Sequence, residues 1–154
     1  MPEMDEAARR AWERIRGGSL GLPTKPLREV IAESWGGTRP LSAGVLLVRW
    51  PSAEETLEAS VRSDDLRLVA VARVDANGEL RLTFQTDDPD LAGRAVCFAA
   101  CAPERTDKGP LAGGSVLLAP SSSDPARFEG RCRLGALQEL RPGDILLIRF
   151  AVAP

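Results

Sequence analysis

The sequence predicts an α+β protein in which two or three short N-terminal helices precede an antiparallel β-sandwich of six or seven strands. Apolar residues recur at three- and four-residue steps in the first third of the chain and alternate with polar residues from position 66 onward. We expect a helical region with a linker over residues 1–62 and the sandwich domain over residues 63–154. A chain of 154 residues is long enough for such a domain to bury a hydrophobic core.

Two helices are predicted before residue 36. The first, over 3–16, has acidic residues in its first turn and arginines in its last turn, as the helix dipole favours. The second, over 26–35, has Thr24 as its expected N-terminal cap. Each helix carries an apolar stripe, made of Met4, Ala8, Ala11, Trp12 and Ile15 in the first and of Leu27, Val30, Ile31 and Trp35 in the second.

The next stretch predicts one strand and one helix. Residues 44–50 are apolar on both faces, which is typical of a buried strand and would supply the seventh strand of the sandwich. Ser52 followed three positions later by Glu55 is a capping-box pattern. We therefore expect a third short helix that ends at about Val61.

Residues 66–85 predict a β-hairpin around Asn77 and Gly78. A two-residue loop would place apolar residues beside charged ones, whereas a three-residue loop makes one face of the hairpin wholly apolar. We expect the three-residue loop, with Gly78 in the left-handed conformation. That register puts Arg73 opposite Arg81 on the solvated face.

Four further strands are predicted after this hairpin. Turn signals rich in proline, glycine, aspartate and serine separate them, with no helical stretch between. Such short, regularly spaced strands are typical of an antiparallel sandwich. The four strands are expected at about 94–102, 115–119, 128–134 and 145–152.

The C-terminal stretch from Phe128 to Phe150 resembles the end of carboxypeptidase-regulatory and transthyretin-like domains. It contains a strand, a leucine, a turn at Pro142 and Gly143, and a final aliphatic strand. This resemblance implies an Ig-like β-sandwich and a non-catalytic role. The chain departs from the family in its helical first third and in having no tyrosine for the last strand.

No catalytic residue, cofactor or metal site is expected. The chain has no histidine, so imidazole is absent as a base, an acid or a metal ligand, and the serines at 121–123 have no histidine to activate them. Cys97 and Cys101 lie four positions apart in a predicted strand, about 13 Å at ~3.3 Å per residue, too far for a disulfide or a shared metal. With Cys132, they are interpreted as small buried apolar residues.

Charge and sequence ends suggest the compartment and exclude some partners. The formal net charge of −2 argues against a dedicated nucleic-acid or anionic-membrane binder. The acidic N-terminus lacks the layout of a signal peptide, and no apolar run approaches the ~20 residues that cross a bilayer. With an odd number of cysteines, we expect a cytoplasmic protein. All but Lys25 and Lys108 of the 20 basic residues are arginine, which indicates a GC-rich bacterial genome.

The first helix is the predicted partner-binding element, because tryptophan is favoured at interface anchors and Trp12 lies on its apolar stripe. It would dock either on its own sandwich or on another chain. The expected partner-binding residues are Arg9, Trp12, Ile15 and Arg16. We predict a non-catalytic protein–protein interaction module, an adaptor or a regulatory or inhibitory subunit of a larger bacterial assembly such as a defence or stress-regulation system.

Two other functions stay open. The chain would be a ligand- or Ca²⁺-binding sandwich if its loops at 87–90 and 103–113 form a site, since Asp87, Asp88 and Asp90 offer three carboxylates within four residues. An enzyme with an uncommon site is the third possibility.

Overall fold

The computed structural model describes residues 40–102, 111–137 and 140–154. These residues form nine strands: β1 (Ser42–Arg49), β2 (Leu57–Arg62), β3 (Val69–Val74), β4 (Glu79–Thr86), β5 (Ala95–Cys101), β6 (Ala112–Leu117), β7 (Ala119–Pro120), β8 (Phe128–Ala136) and β9 (Ile145–Val152). A four-stranded sheet has the order β1-β9-β5-β6, and a five-stranded sheet has the order β2-β3-β4-β8-β7. Every pairing is antiparallel.

The α+β class predicted from the sequence is wrong for this part of the chain, which is all β apart from a 3-10 turn at Pro89–Leu91. The prediction of a third helix ending at about Val61 is also wrong. One capping-box contact forms, because the Ser52 amide donates to the Glu55 carboxylate at 3.4 Å, but the Glu55 amide donates to the Ser52 carbonyl and closes only a turn. Strand β2 follows, since Leu57 and its alternate neighbours are covered when they pair with β3.

The predicted antiparallel sandwich is confirmed. All the strands expected after residue 66 are present, and the seventh strand expected at 44–50 is β1. The short strands β2 and β7 are additional. The helices predicted at 3–16 and 26–35 lie outside the described residues. Among the residues that are described, no helix is long and apolar enough to cross a membrane.

The hairpin of β3 and β4 has the predicted three-residue loop. Val74 is paired with Leu80, and both are fully buried. Gly78 has a φ of 77°, the left-handed conformation that glycine adopts without a steric penalty. The same register places Arg73 opposite Arg81 on the outer face.

The core lies between the two sheets and centres on three phenylalanine rings. The ring of Phe84, from the five-stranded sheet, lies 6.0 Å from that of Phe98 and 5.5 Å from that of Phe150, both from the four-stranded sheet. All three side chains are fully buried. Each such pair contributes about 0.5–1.5 kcal/mol beyond the burial of apolar area. These contacts join the two sheets.

Gly44 makes room for one of these rings. It is the cross-strand partner of Phe150, and a Cβ atom at position 44 would lie 2.5 Å from the Cζ atom of that ring. A side chain at this position would force the buried ring or the strand to shift, so glycine at residue 44 lets the ring keep its place in the core.

We predict that Gly44→Ala lowers the free energy of unfolding by about 1–3 kcal/mol, the range for overpacking a core. Urea denaturation of the two proteins measures the difference. In the double variant Gly44→Ala/Phe150→Leu, the smaller leucine side chain removes the clash. The double variant should therefore lose less stability than the sum of the losses of the two single variants. A Gly44→Ala protein as stable as the original would contradict this packing.

Candidate functional site

The outer face of the five-stranded sheet carries the candidate site. In β4, Leu80, Leu82 and Phe84 are buried in the core. Side chains alternate between the two faces of a strand, so Arg81 and Thr83 point to the outer face. The same alternation sends Arg131 and Arg133 outward from β8 and Arg73 outward from β3.

Three arginines stand side by side across adjacent strands on this face. Arg73 of β3 is directly opposite Arg81 of β4, and Arg81 is directly opposite Arg133 of β8. Arg131 lies in the next row, opposite Thr83. Like charges placed directly opposite each other destabilise a sheet. Acidic neighbours offset part of this cost, because Glu58 lies directly opposite Arg73 on β2 and the charges of Asp75 and Glu79 interact with Arg81.

The arginines line an open groove of about 720 Å³. We call it the arginine groove and define it by Arg73, Arg81, Arg131 and Arg133. The other outward side chains in its lining are Glu58, Val71, Thr83 and Gln85. None of its lining residues in the described part of the chain is aromatic.

Two of the four arginines have acidic partners. Arg133 Nε lies 2.5 Å from Glu79 Oε1, and Arg131 Nη2 lies 3.1 Å from Glu129 Oε1. Exposed pairs of this kind contribute little to stability, because solvent screens them. Within residues 40–102, 111–137 and 140–154, neither Arg73 nor Arg81 forms an ion pair. The middle of the groove thus has two exposed guanidinium groups available to a ligand.

The arginines also fix the charge state of neighbouring carboxylates. The hydrogen bond from Arg133 holds the pKa of Glu79 below its usual value, with the charges of Arg133 and Arg81 adding to the effect. The pKa of Asp75 is lowered chiefly by the backbone amide of Glu79, and Arg81 contributes again. Both carboxylates stay ionised in mild acid, so one end of the groove keeps a mixed pattern of fixed charges.

The acidic loop at 87–90 is tied to Arg67. Arg67 Nε lies 2.5 Å from Asp88 Oδ2, and its terminal nitrogens lie 3.7 Å from Asp90 and from Asp65. Asp88 also accepts a hydrogen bond from the Asp90 amide at 2.9 Å and so caps the 3-10 turn. Among the described residues, no group of three histidine, cysteine or acidic side chains is placed to hold a metal ion. In the structure, the loop forms part of an ion-pair network with Arg67.

The cysteines form no disulfide, and Cys97 and Cys101 are buried. Both lie on the outer face of the four-stranded sheet, since the alternate residues of β5 belong to the core. Cys132 is half-buried and packs against the core, and burial raises the pKa of its thiol. The loop at 103–113 that was the other candidate for ligand binding falls mostly outside the described residues.

The predicted partner-binding residues Arg9, Trp12, Ile15 and Arg16 all lie outside the described residues. Sequence reasoning missed the arginine groove, although alternation and the hairpin register put Arg73 and Arg81 together on one exposed face. The local sequence does not reveal that β8 pairs with β4, which brings Arg131 and Arg133 to the same face. The chain matches no family model, no curated protein and no solved structure.

The ion pair of Asp88 predicts a dependence of stability on pH. The hydrogen bond from Arg67 lowers the pKa of Asp88 in the folded protein below the ordinary value of 3.8. A lowered pKa gives stability that is complete above the unfolded-state pKa and is lost as the pH falls through the folded-state pKa. Below pH 3.8 the free energy of unfolding should therefore fall more steeply for the original protein than for Asp88→Asn. Asparagine keeps an oxygen that accepts the hydrogen bond from the Asp90 amide, so the comparison measures the effect of the Asp88 charge alone.

Urea denaturation over a series of pH values measures both slopes. Parallel slopes for the two proteins would contradict the ion pair between Arg67 and Asp88.

Proposed function

We propose that the chain is a non-catalytic protein-interaction module that binds an acidic protein surface in the arginine groove. The observation that carries this proposal is the row of Arg73, Arg81 and Arg133 across three adjacent strands. Such a row is unfavourable within the sheet itself and becomes favourable when carboxylates lie over it.

The choice of arginine in the groove supports carboxylate recognition. Guanidinium groups are planar and donate paired hydrogen bonds that match the two oxygens of a carboxylate. Neither Arg73 nor Arg81 forms an ion pair among the described residues, so no salt bridge of theirs has to break when a ligand binds. A glutamate or aspartate side chain of a partner would supply the missing acceptors.

The composition of the groove favours a protein over a nucleic acid. Glu58, Glu79 and Glu129 stand among the arginines, and these carboxylates would repel a phosphate backbone. The described lining has no aromatic ring on which a base would stack. A protein surface with acidic residues and a few basic ones complements this mixed pattern.

We further propose that the module is an adaptor or a regulatory subunit of an assembly in the bacterial cytoplasm. Cysteines without disulfides fit a reducing compartment. The use of arginine for all but two basic residues fits a GC-rich bacterial genome. The partner would be a larger protein that presents an acidic patch.

A binding measurement with a fluorescently labelled, glutamate-rich peptide that also contains a few lysines tests the proposal. We expect the peptide to bind the original protein and to be released by added salt, which screens exposed charges. Arg73→Gln/Arg81→Gln should weaken binding by about tenfold or more, equivalent to about 1.4 kcal/mol. The same variant should melt at an unchanged or higher temperature, because it relieves repulsion between like charges.

The matched control is Arg49→Gln/Arg94→Gln, which removes the same charge from exposed arginines outside the groove. It should bind the peptide with nearly the original affinity. An equal loss in both double variants, or no binding by the original protein, would refute the proposal. Tighter binding of a single-stranded DNA of equal net charge would mark the groove as a nucleic-acid site instead.

A further inference from the structure

The centre of the outer face of the four-stranded sheet is mostly apolar and buried, unlike the outer face of its partner sheet. In β9, Leu146, Ile148 and Phe150 belong to the core between the sheets, so Leu147 and Ala151 point the other way. Even so, Leu147 is only 4% exposed and Ala151 is fully buried. The same holds for the neighbouring outward side chains Ala43, Cys97, Ala99 and Cys101.

This burial needs a cover that the described residues do not provide. They form two sheets, and the five-stranded sheet packs against the opposite, inner face. Every strand within residues 40–102, 111–137 and 140–154 belongs to one of these two sheets. Leu47 on the edge strand β1 keeps 51% exposure and Leu117 on the other edge strand, β6, keeps 65%, so the covered area lies between the two edges.

A buried arginine lies in the middle of the same face. Arg149 is 6% exposed, and its Nε atom has no hydrogen-bond acceptor. Burial lowers the pKa of its guanidinium, and the contact that opposes this effect is with Cys101. A buried cation is stable only beside groups that accept its hydrogen bonds. We therefore expect the segment that covers this face to contain carboxylates.

We infer that residues 1–39 of the same chain cover the outer face of the four-stranded sheet, with their apolar stripes directed against it. This inference does not depend on the proposed function. The segment joins β1, the edge strand of that sheet, where the Leu41 amide donates to the Val152 carbonyl at 3.0 Å. It therefore enters beside the face that needs a cover.

The size and chemistry of the segment fit the face. Four strands at ~4.8 Å spacing place the outer strands about 14 Å apart, and a helix is about 10–12 Å across. Two helices of the lengths predicted from the sequence would span that width. Their stripes contain Trp12 and Trp35, and carboxylates are supplied by Glu3, Asp5, Glu6, Glu29 and Glu33.

The loop between β5 and β6 is too short to serve instead. The eight residues at 103–110 must return the chain from Cys101 to Ala112 on neighbouring strands. An extended chain reaches at most about 3.6 Å per residue, so a loop anchored in this way covers only one end of the sheet. Residues 1–39 are the remaining stretch long enough for the whole face.

Thiol labelling of the full chain tests the inference, because Cys97 and Cys101 lie under the proposed cover. In the original protein both thiols should react slowly with a thiol-specific reagent. Trp12→Ser/Trp35→Ser should raise their rate by about tenfold or more, as expected when a protecting contact opens. The rate at Cys132, which lies in the other sheet, should not change. Mass spectrometry of peptides measures each site separately.

The control Arg10→Ser/Glu13→Ser is charge-neutral and lies on the polar side of the predicted helix, so it should leave all the rates unchanged. The double tryptophan variant retains only Trp50, which is buried at 6% exposure, so its emission reports whether the sandwich is folded. A folded variant whose Cys97 and Cys101 stay protected would overturn the inference. If that variant does not fold, Ile15→Ser provides the same comparison.

A dilution series of the original protein distinguishes coverage of this face by the same chain from coverage by a second copy of the protein. Protection within one molecule predicts labelling rates at Cys97 and Cys101 that do not depend on protein concentration. Rates that rise on dilution would show that another copy covers the face, which would overturn the inference.

Discussion

The packing of Phe84 between Phe98 and Phe150 is the contact on which the rest of the molecule depends. It fixes which side of β4 faces the core, and every second residue of that strand must then face outward. A shift of one residue in pairing would put Arg81 into the core and Phe84 into solvent. The hydrophobic core thus determines where the charges of the arginine groove lie.

The two outer faces of the sandwich have opposite chemistry. The five-stranded sheet presents charged side chains to solvent, including the unfavourable row of three arginines. The centre of the outer face of the four-stranded sheet is made of alanine, cysteine and leucine around Arg149, and it is buried. We interpret this asymmetry as a division of roles, in which one face binds a partner and the other is covered by the chain itself.

Much of the sandwich could be predicted from the sequence, because strand alternation is a local property of the chain. The loop of the first hairpin was predicted from which register buries its apolar residues, and Gly78 has the conformation that this register requires. Strand β2 was missed because the local signal at Ser52 and Glu55 is helical, whereas pairing with β3 decides the outcome. The groove was missed because Arg133 follows Arg81 by more than 50 positions, and long-range pairing leaves no local trace.

The most direct test of the account is an NMR titration that maps where the glutamate-rich peptide contacts the full chain. The account predicts shifts of the arginine Nε–H signals of Arg73, Arg81, Arg131 and Arg133 and of backbone amides in β3, β4 and β8. Signals from the four-stranded sheet should stay in place. Shifts confined to that other sheet, or saturation of binding without change at Arg73 and Arg81, would contradict the account.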